Sequence, residues 1–211
     1  MVKNLPDVVI VPSHKTQSQL PLPSTVIPCA IEKPVNARPR PEKNLAVCIS
    51  RLEKGKGQDL LIKAWPEVLK KCPDARLKII GEGSLNLKPC KNVIVTGWID
   101  DVWKELEKAS VLIFPSVWPL EGFGLVVIEA MSLGIPVVAF DIGPAREIID
   151  NTSGILIEPG NSGELAKAIV KMLKKPIQTG RRRFERLYSW SVVGPQYLQA
   201  FKYVMAKNSV K

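Results

Sequence analysis

No apolar run in this chain approaches the roughly 20 residues that a membrane-spanning helix needs, which sets a transmembrane reading aside. The opening MVKNLPDVVIVPSHK holds only a short apolar run closed by Pro12, Ser13 and His14, and it shows no signal-peptide cleavage pattern. Cytoplasmic residence is therefore expected. Cysteine is scarce: Cys29, Cys48, Cys72 and Cys90 lie too far apart for a Cys-x-x-Cys zinc clip and are too few for a disulfide scaffold. Reduced, packed thiols are the expectation. There is no internal repeat, and no nucleic-acid motif accompanies the surplus of basic residues.

What is present describes one soluble globular domain of ordinary size with a small appendage: 211 residues, 45% hydrophobic and 24% charged. The net charge of +10 is unevenly placed. Residues 1–40 contribute +3, residues 41–162 contribute −2 and residues 163–211 contribute +9. The basic tail includes Arg181, Arg182, Arg183 and Arg186, which read first as a solvated helix face and second as a contact for a membrane surface. Nucleic acid is not expected as a partner.

Short β-branched apolar runs recur at NLAVCIS (44–50), ARLKIIG (75–81), NVIVTG (92–97), SVLIFPS (110–116), PVVAF (136–140) and GILIEP (154–159), each reading as a strand. Helical periodicities fall between them. GQDLLIKAWPEVLKK sets Leu60, Leu61, Ala64, Val68 and Leu69 on one face, with Pro66 where a kink or irregular turn is expected. DVWKELEKA, FGLVVIEAMSL, a short AREIID and SGELAKAIVKML follow. Repeated strand-helix alternation with near-continuous apolar strands predicts an α/β domain: a doubly wound, parallel, six-stranded Rossmann-like sheet over residues 44–190. A helix over about 123–133 is expected to bury Leu125, Val126, Ile128 and Met131. Glu129 then sits at the margin of that face or in a cavity, and Glu121 lies in the preceding loop.

The flanks differ in kind. Residues 1–20 offer one strand, PDVVIVPS, and a short helix, HKTQSQL. Residues 21–43 are dense in proline (Pro21, Pro23, Pro28, Pro34, Pro39, Pro41) and read as an extended linker. Residues 191–211 form an amphipathic helix that offers Tyr197, Leu198, Phe201 and Val204 for packing.

Open parallel sheets bind ligands at the carboxyl ends of their strands, so the turns there carry the functional signal. After the first strand, SRLEKGKGQD places Arg51 and Lys56 among glycines, which suits a diphosphate and equally a Lys/Gly-rich surface turn. After the third, Trp98 either stacks on a base or caps the core. After the fourth, Gly122 and Gly124 allow backbone N–H groups at a helix start to face an anion. The fifth is followed by another glycine turn, DIGPAREII. Taken together, these turns point to a phosphate-bearing, nucleotide-like ligand.

The same residues resemble the retaining nucleotide-sugar glycosyltransferases of the GT-B type, family 4 (glycosyl transferases group 1), in the C-terminal donor-binding half. The resemblance covers roughly residues 44–205. It is carried by Glu121-Gly122-Phe123-Gly124-Leu125 with Glu129 eight residues after Glu121, by Pro115-Ser116 before and Ala130-Met131 and Gly134-Ile135-Pro136-Val137 after, and by SRLEKGKGQDLLIKA. It implies that Arg51 and Lys56 neutralise a leaving diphosphate, so that no metal or other cofactor is needed. It also implies that Glu121 contacts donor-sugar hydroxyls, that Glu129 binds the ribose hydroxyls, and that the turn between them presents N–H groups. Without the motif, the two glutamates would read as a helix-end charge and a surface residue.

Two departures stand out. Where the family commonly has Gly-Gly-x-x-Glu, this chain has Gly143-Pro144-Ala145-Arg146-Glu147. The acceptor-binding N-terminal half is absent apart from a remnant in residues 1–20, so His14, the one histidine, is expected on a helix surface and not as a base. The expected partners are a nucleotide-sugar donor and the missing half, in cis or in trans. The expected function is the donor-binding part of a glycosyltransferase. The alternatives are a non-catalytic nucleotide-sugar binding module and, less favoured, an epimerase.

Overall fold

The fold was obtained as a computed structural model that describes residues 6–177 and 180–208. From the N-terminus come β1 (Ile10–Val11), α1 (His14–Gln19) and β2 (Thr25–Val26), with β1 and β2 paired in parallel. The main body follows as β3 (Leu45–Ile49), α2 (Gln58–Lys71), β4 (Arg76–Ile80), β5 (Val93–Val95), α3 (Val102–Lys108) and β6 (Val111–Phe114). It continues through α4 (Leu125–Ser132), β7 (Val137–Phe140), α5 (Ala145–Ile148), β8 (Gly154–Ile157), α6 (Ser162–Lys174), α7 (Gly180–Leu187) and α8 (Trp190–Asn208).

The six strands form one all-parallel sheet in the order β5-β4-β3-β6-β7-β8. Side chains alternate along each strand, and both faces are covered. Ala46, Cys48, Val111, Ile113, Val138 and Phe140 pack on one side with Leu61, Trp65, Leu165 and Ile169 of α2 and α6. Leu45, Val47, Leu112, Phe114, Val137 and Ala139 pack on the other with Leu106, Val127, Ile128 and Phe184. The sheet is thus doubly wound, and the chain reverses its direction of travel between β3 and β6, which sets the crevice.

Several local expectations are corrected. Helix α4 starts at Leu125, because Gly124 has φ +90° and stands outside the helix as its N-cap. Leu125 is exposed, while Val127, Ile128, Ala130 and Met131 form the buried stripe. Pro66 does not interrupt α2, which runs through it. The carbonyl of Ile62, four residues earlier, would have bonded the N–H that proline lacks, and it lies 4.0 Å from the Cys90 thiol instead. In α8, Leu198 and Phe201 are exposed and do not pack.

The proline-rich segment lies on the body: Ile27 and Ala37 are buried, and Ile31 bridges to Ser189. The four thiols are free, and burial pushes that of Cys48 up to about 12 against a lowering hydrogen bond from Ser50. Among the described residues no helix is long and apolar enough to cross a membrane.

Candidate functional site

The loops after β3 and β6 flank the crevice, and they interlock. The Val117 N–H donates to the Gly55 carbonyl at 2.8 Å, and a Cβ at Gly57 would come 1.8 Å from the Pro115 carbonyl oxygen. Gly57 also has φ +77°, so both its conformation and the close approach require glycine. This contact brings Lys56 to Glu121. Lys56 Nζ lies 2.8 Å from Glu121 Oε2, with both side chains only 12% exposed. The buried hydroxyl of Ser116 donates to the same oxygen at 2.9 Å.

Below the pair, Gln58 is fully buried and donates through Nε2 to Ser50 Oγ and to the Arg51 carbonyl, each at 2.7 Å, which fixes the exit of β3. The N-termini of α2 and α4 both lack a side-chain cap. Their free N–H groups and the attendant positive end of each helix suit an anion in the crevice between them.

Glu129 sits on α4 in a half-buried position, and burial raises its carboxyl above the ordinary range. Among the described residues its side chain has no hydrogen bond or ion pair. A partly buried carboxyl without donors is costly unless something else supplies them. The other predicted residues fall less uniformly. Arg51 is exposed and paired with Glu53 at 2.9 Å. Phe123 is buried against Tyr188, ring centroids 5.9 Å apart, so its side chain is taken up by the core. Trp98 follows the edge strand β5, is 69% exposed and donates to Asp100 Oδ1 at 3.1 Å. It does not cap the core, and the sheet order separates it from β3 by β4.

The N-terminal segment also reaches this edge. Both oxygens of Glu147 accept from the start of α1, the His14 N–H at 2.9 Å and the Lys15 N–H at 2.8 Å. Thr16 Oγ1 and Gln19 Nε2 donate to the carbonyls of Gly122 and Pro119, in the loop that carries Glu121. His14 is exposed, as expected. The basic cluster on α7 is partly committed: Arg183 bonds Asp150 and the carbonyls of Glu147 and Ile148, and Arg181 pairs with Glu185. The sequence assigns no role to Gln58 or Thr16, since a polar residue in a first helical turn carries no periodic signal. Ser116 and Gln58 both stand inside the stretches that carry the family resemblance.

Residues 43–175 match the protein family described as Glycosyl transferases group 1. The GDP-mannose-dependent monoacylated alpha-(1-6)-phosphatidylinositol monomannoside mannosyltransferase of Corynebacterium glutamicum is 32% identical over 167 residues, covering 70% of this chain and 44% of that protein. The phosphatidyl-myo-inositol mannosyltransferase of Mycobacterium leprae is 31% identical over 171 residues, 74% of this chain and 46% of that one. The chain thus spans less than half the length of these relatives. Among solved structures, S. aureus TarM in complex with fondaparinux, alpha-GlcNAc-glycerol and UDP superposes with a TM-score of 0.75 at 29% identity, covering 92% of this chain and 43% of TarM.

Proposed function

The chain belongs to the glycosyl transferases group 1 family, and from that premise we propose that it is the donor-binding part of a hexosyltransferase, holding a nucleoside-diphosphate sugar for retaining transfer. The observation that carries this reading is the Glu129 carboxyl, half-buried on α4 and without a donor among the described residues. Two ribose hydroxyls are the donors it lacks. Lys56, Arg51 and the uncapped starts of α2 and α4 would meet the diphosphate and neutralise it as it leaves, with no metal required. Glu121 would take hydroxyls of the sugar, and Trp98 offers an exposed ring on which a base can stack. The likeness to TarM, whose structure contains UDP, supports the nucleotide part. The names of the mannosyltransferase relatives support a hexose donor.

Transfer also needs an acceptor held against the donor carbon and water kept out, which a donor wall alone does not provide. We assign that to a further half, in cis or on a second chain, in line with relatives more than twice the matched length.

The test is calorimetric. Lys56→Ala removes a charge-assisted hydrogen bond to phosphate, so affinity for UDP or GDP should fall by about 1.5–3 kcal/mol while affinity for uridine or guanosine stays constant. Equal losses for nucleoside and nucleotide would overturn the assignment. Because the substitution also strands the mostly buried Glu121, circular dichroism should accompany it to show that the variant is folded.

A further inference from the structure

Ser116 lies at the exit of β6, 1% exposed, and its single hydroxyl has two acceptors within reach. The Gly55 carbonyl is 3.5 Å away and Glu121 Oε2 is 2.9 Å away. The nearer acceptor is the carboxylate of an ion pair, and it accepts the hydrogen bond. The Trp118 N–H donates into the same hydroxyl at 3.3 Å, which polarises it further toward Glu121. Lys56 Nζ takes the same carboxylate oxygen at 2.8 Å. Both donors therefore converge on Oε2, and Oε1 has no hydrogen bond among the described residues.

The two donors respond differently to a diphosphate. Lys56 is a cation on a flexible stem, and an entering dianion competes with Glu121 for it. Ser116 is neutral and enclosed, and its hydrogen bond does not depend on the charge of the crevice. On the donor-site reading above, we propose that Ser116 is a positioning residue. It keeps Glu121 anchored through Oε2 when Lys56 turns to the diphosphate, and so leaves Oε1 aimed at the sugar hydroxyls. Ser116 would then govern recognition of the sugar and not of the nucleotide.

The experiment measures binding of UDP, GDP, UDP-glucose and GDP-mannose to the whole chain and its variants by calorimetry. Ser116→Ala is a small change at a buried site and should leave the affinity for the free nucleoside diphosphate unchanged. It should reduce the additional affinity conferred by the attached sugar about tenfold. In a Glu121→Ala background, where the acceptor is gone, the same change should add nothing further. A purely packing role predicts equal losses for nucleotide and sugar nucleotide. That result, or a full effect of Ser116→Ala in the absence of Glu121, overturns the proposal while leaving the donor-site reading standing. If the unmodified chain binds none of the four ligands, the donor-site reading fails and this inference fails with it.

Discussion

Glu129 shows how one residue can act against the stability of the fold that carries it. Its pKa in the folded chain is raised by burial. The folded state therefore holds the proton more tightly than the unfolded one. The contribution of Glu129 to stability is fullest at acid pH and is lost as pH rises from the ordinary carboxylate value through the raised one. Glu129→Gln removes this titrating group, so its melting temperature at neutral pH should equal or exceed that of the parent, with a flatter pH dependence across that window. The same variant should bind UDP or GDP about tenfold more weakly, because an amide is a poorer acceptor for paired hydroxyls. A pH series of melting curves together with calorimetry checks both halves. A melting temperature that falls while binding is unchanged would make Glu129 a structural residue.

At the scale of elements, the six residues of α1 have too few internal hydrogen bonds to persist alone, and they are held from outside. Ser13 caps the start by accepting from the Thr16 N–H, and Glu147 accepts from the two N–H groups that follow Ser13. Acceptors at a helix start are typically worth about 0.5–2 kcal/mol. Glu147→Ala should therefore speed amide exchange at His14 and Lys15 by several-fold or more while leaving exchange in β3 and β6 unchanged. Hydrogen-exchange mass spectrometry would show it, and uniform acceleration over the whole chain would instead mean that Glu147 supports the main body. The loop from Pro119 to Gly122 is held by the same helix through Thr16 and Gln19, so increased exchange there is expected too.

The whole molecule is well closed around its sheet and open along α8. Trp190, Leu198, Phe201 and Met205 are exposed, and a groove of about 580 Å³ runs between this helix, Cys29 and Leu125. Large apolar side chains already in water contribute little to stability. Leu198→Ser with Phe201→Ser should thus cost less than about 0.5 kcal/mol each and raise solubility. Ile128→Ala, inside the layer beneath β6 and β7, should cost about 2–5 kcal/mol. Denaturant titrations would place both values on one scale. A large loss from the α8 pair would mean that its apolar face is packed in solution.

The sequence alone determined the sheet and the location of the crevice. Strands buried on both faces must be apolar at every position, and parallel strands need helical crossovers, so the alternation from residue 44 to residue 159 leaves few other arrangements. Family membership was likewise legible in Glu121-Gly122-Phe123-Gly124-Leu125 and Glu129, because such a run of residue types at fixed spacing is not a product of helix or strand periodicity. Tertiary structure decided what those residues touch. Lys56 and Glu121 are 65 positions apart and meet only because β3 and β6 are neighbours and Gly57 admits the Pro115 carbonyl. Glu147 reaches α1 across more than 130 positions. Neither contact leaves a periodic trace in the chain. The exposure of Leu125, Leu198 and Phe201 was decided in the same way: amphipathic spacing says that a helix has an apolar face, and only the packed molecule says whether anything covers it.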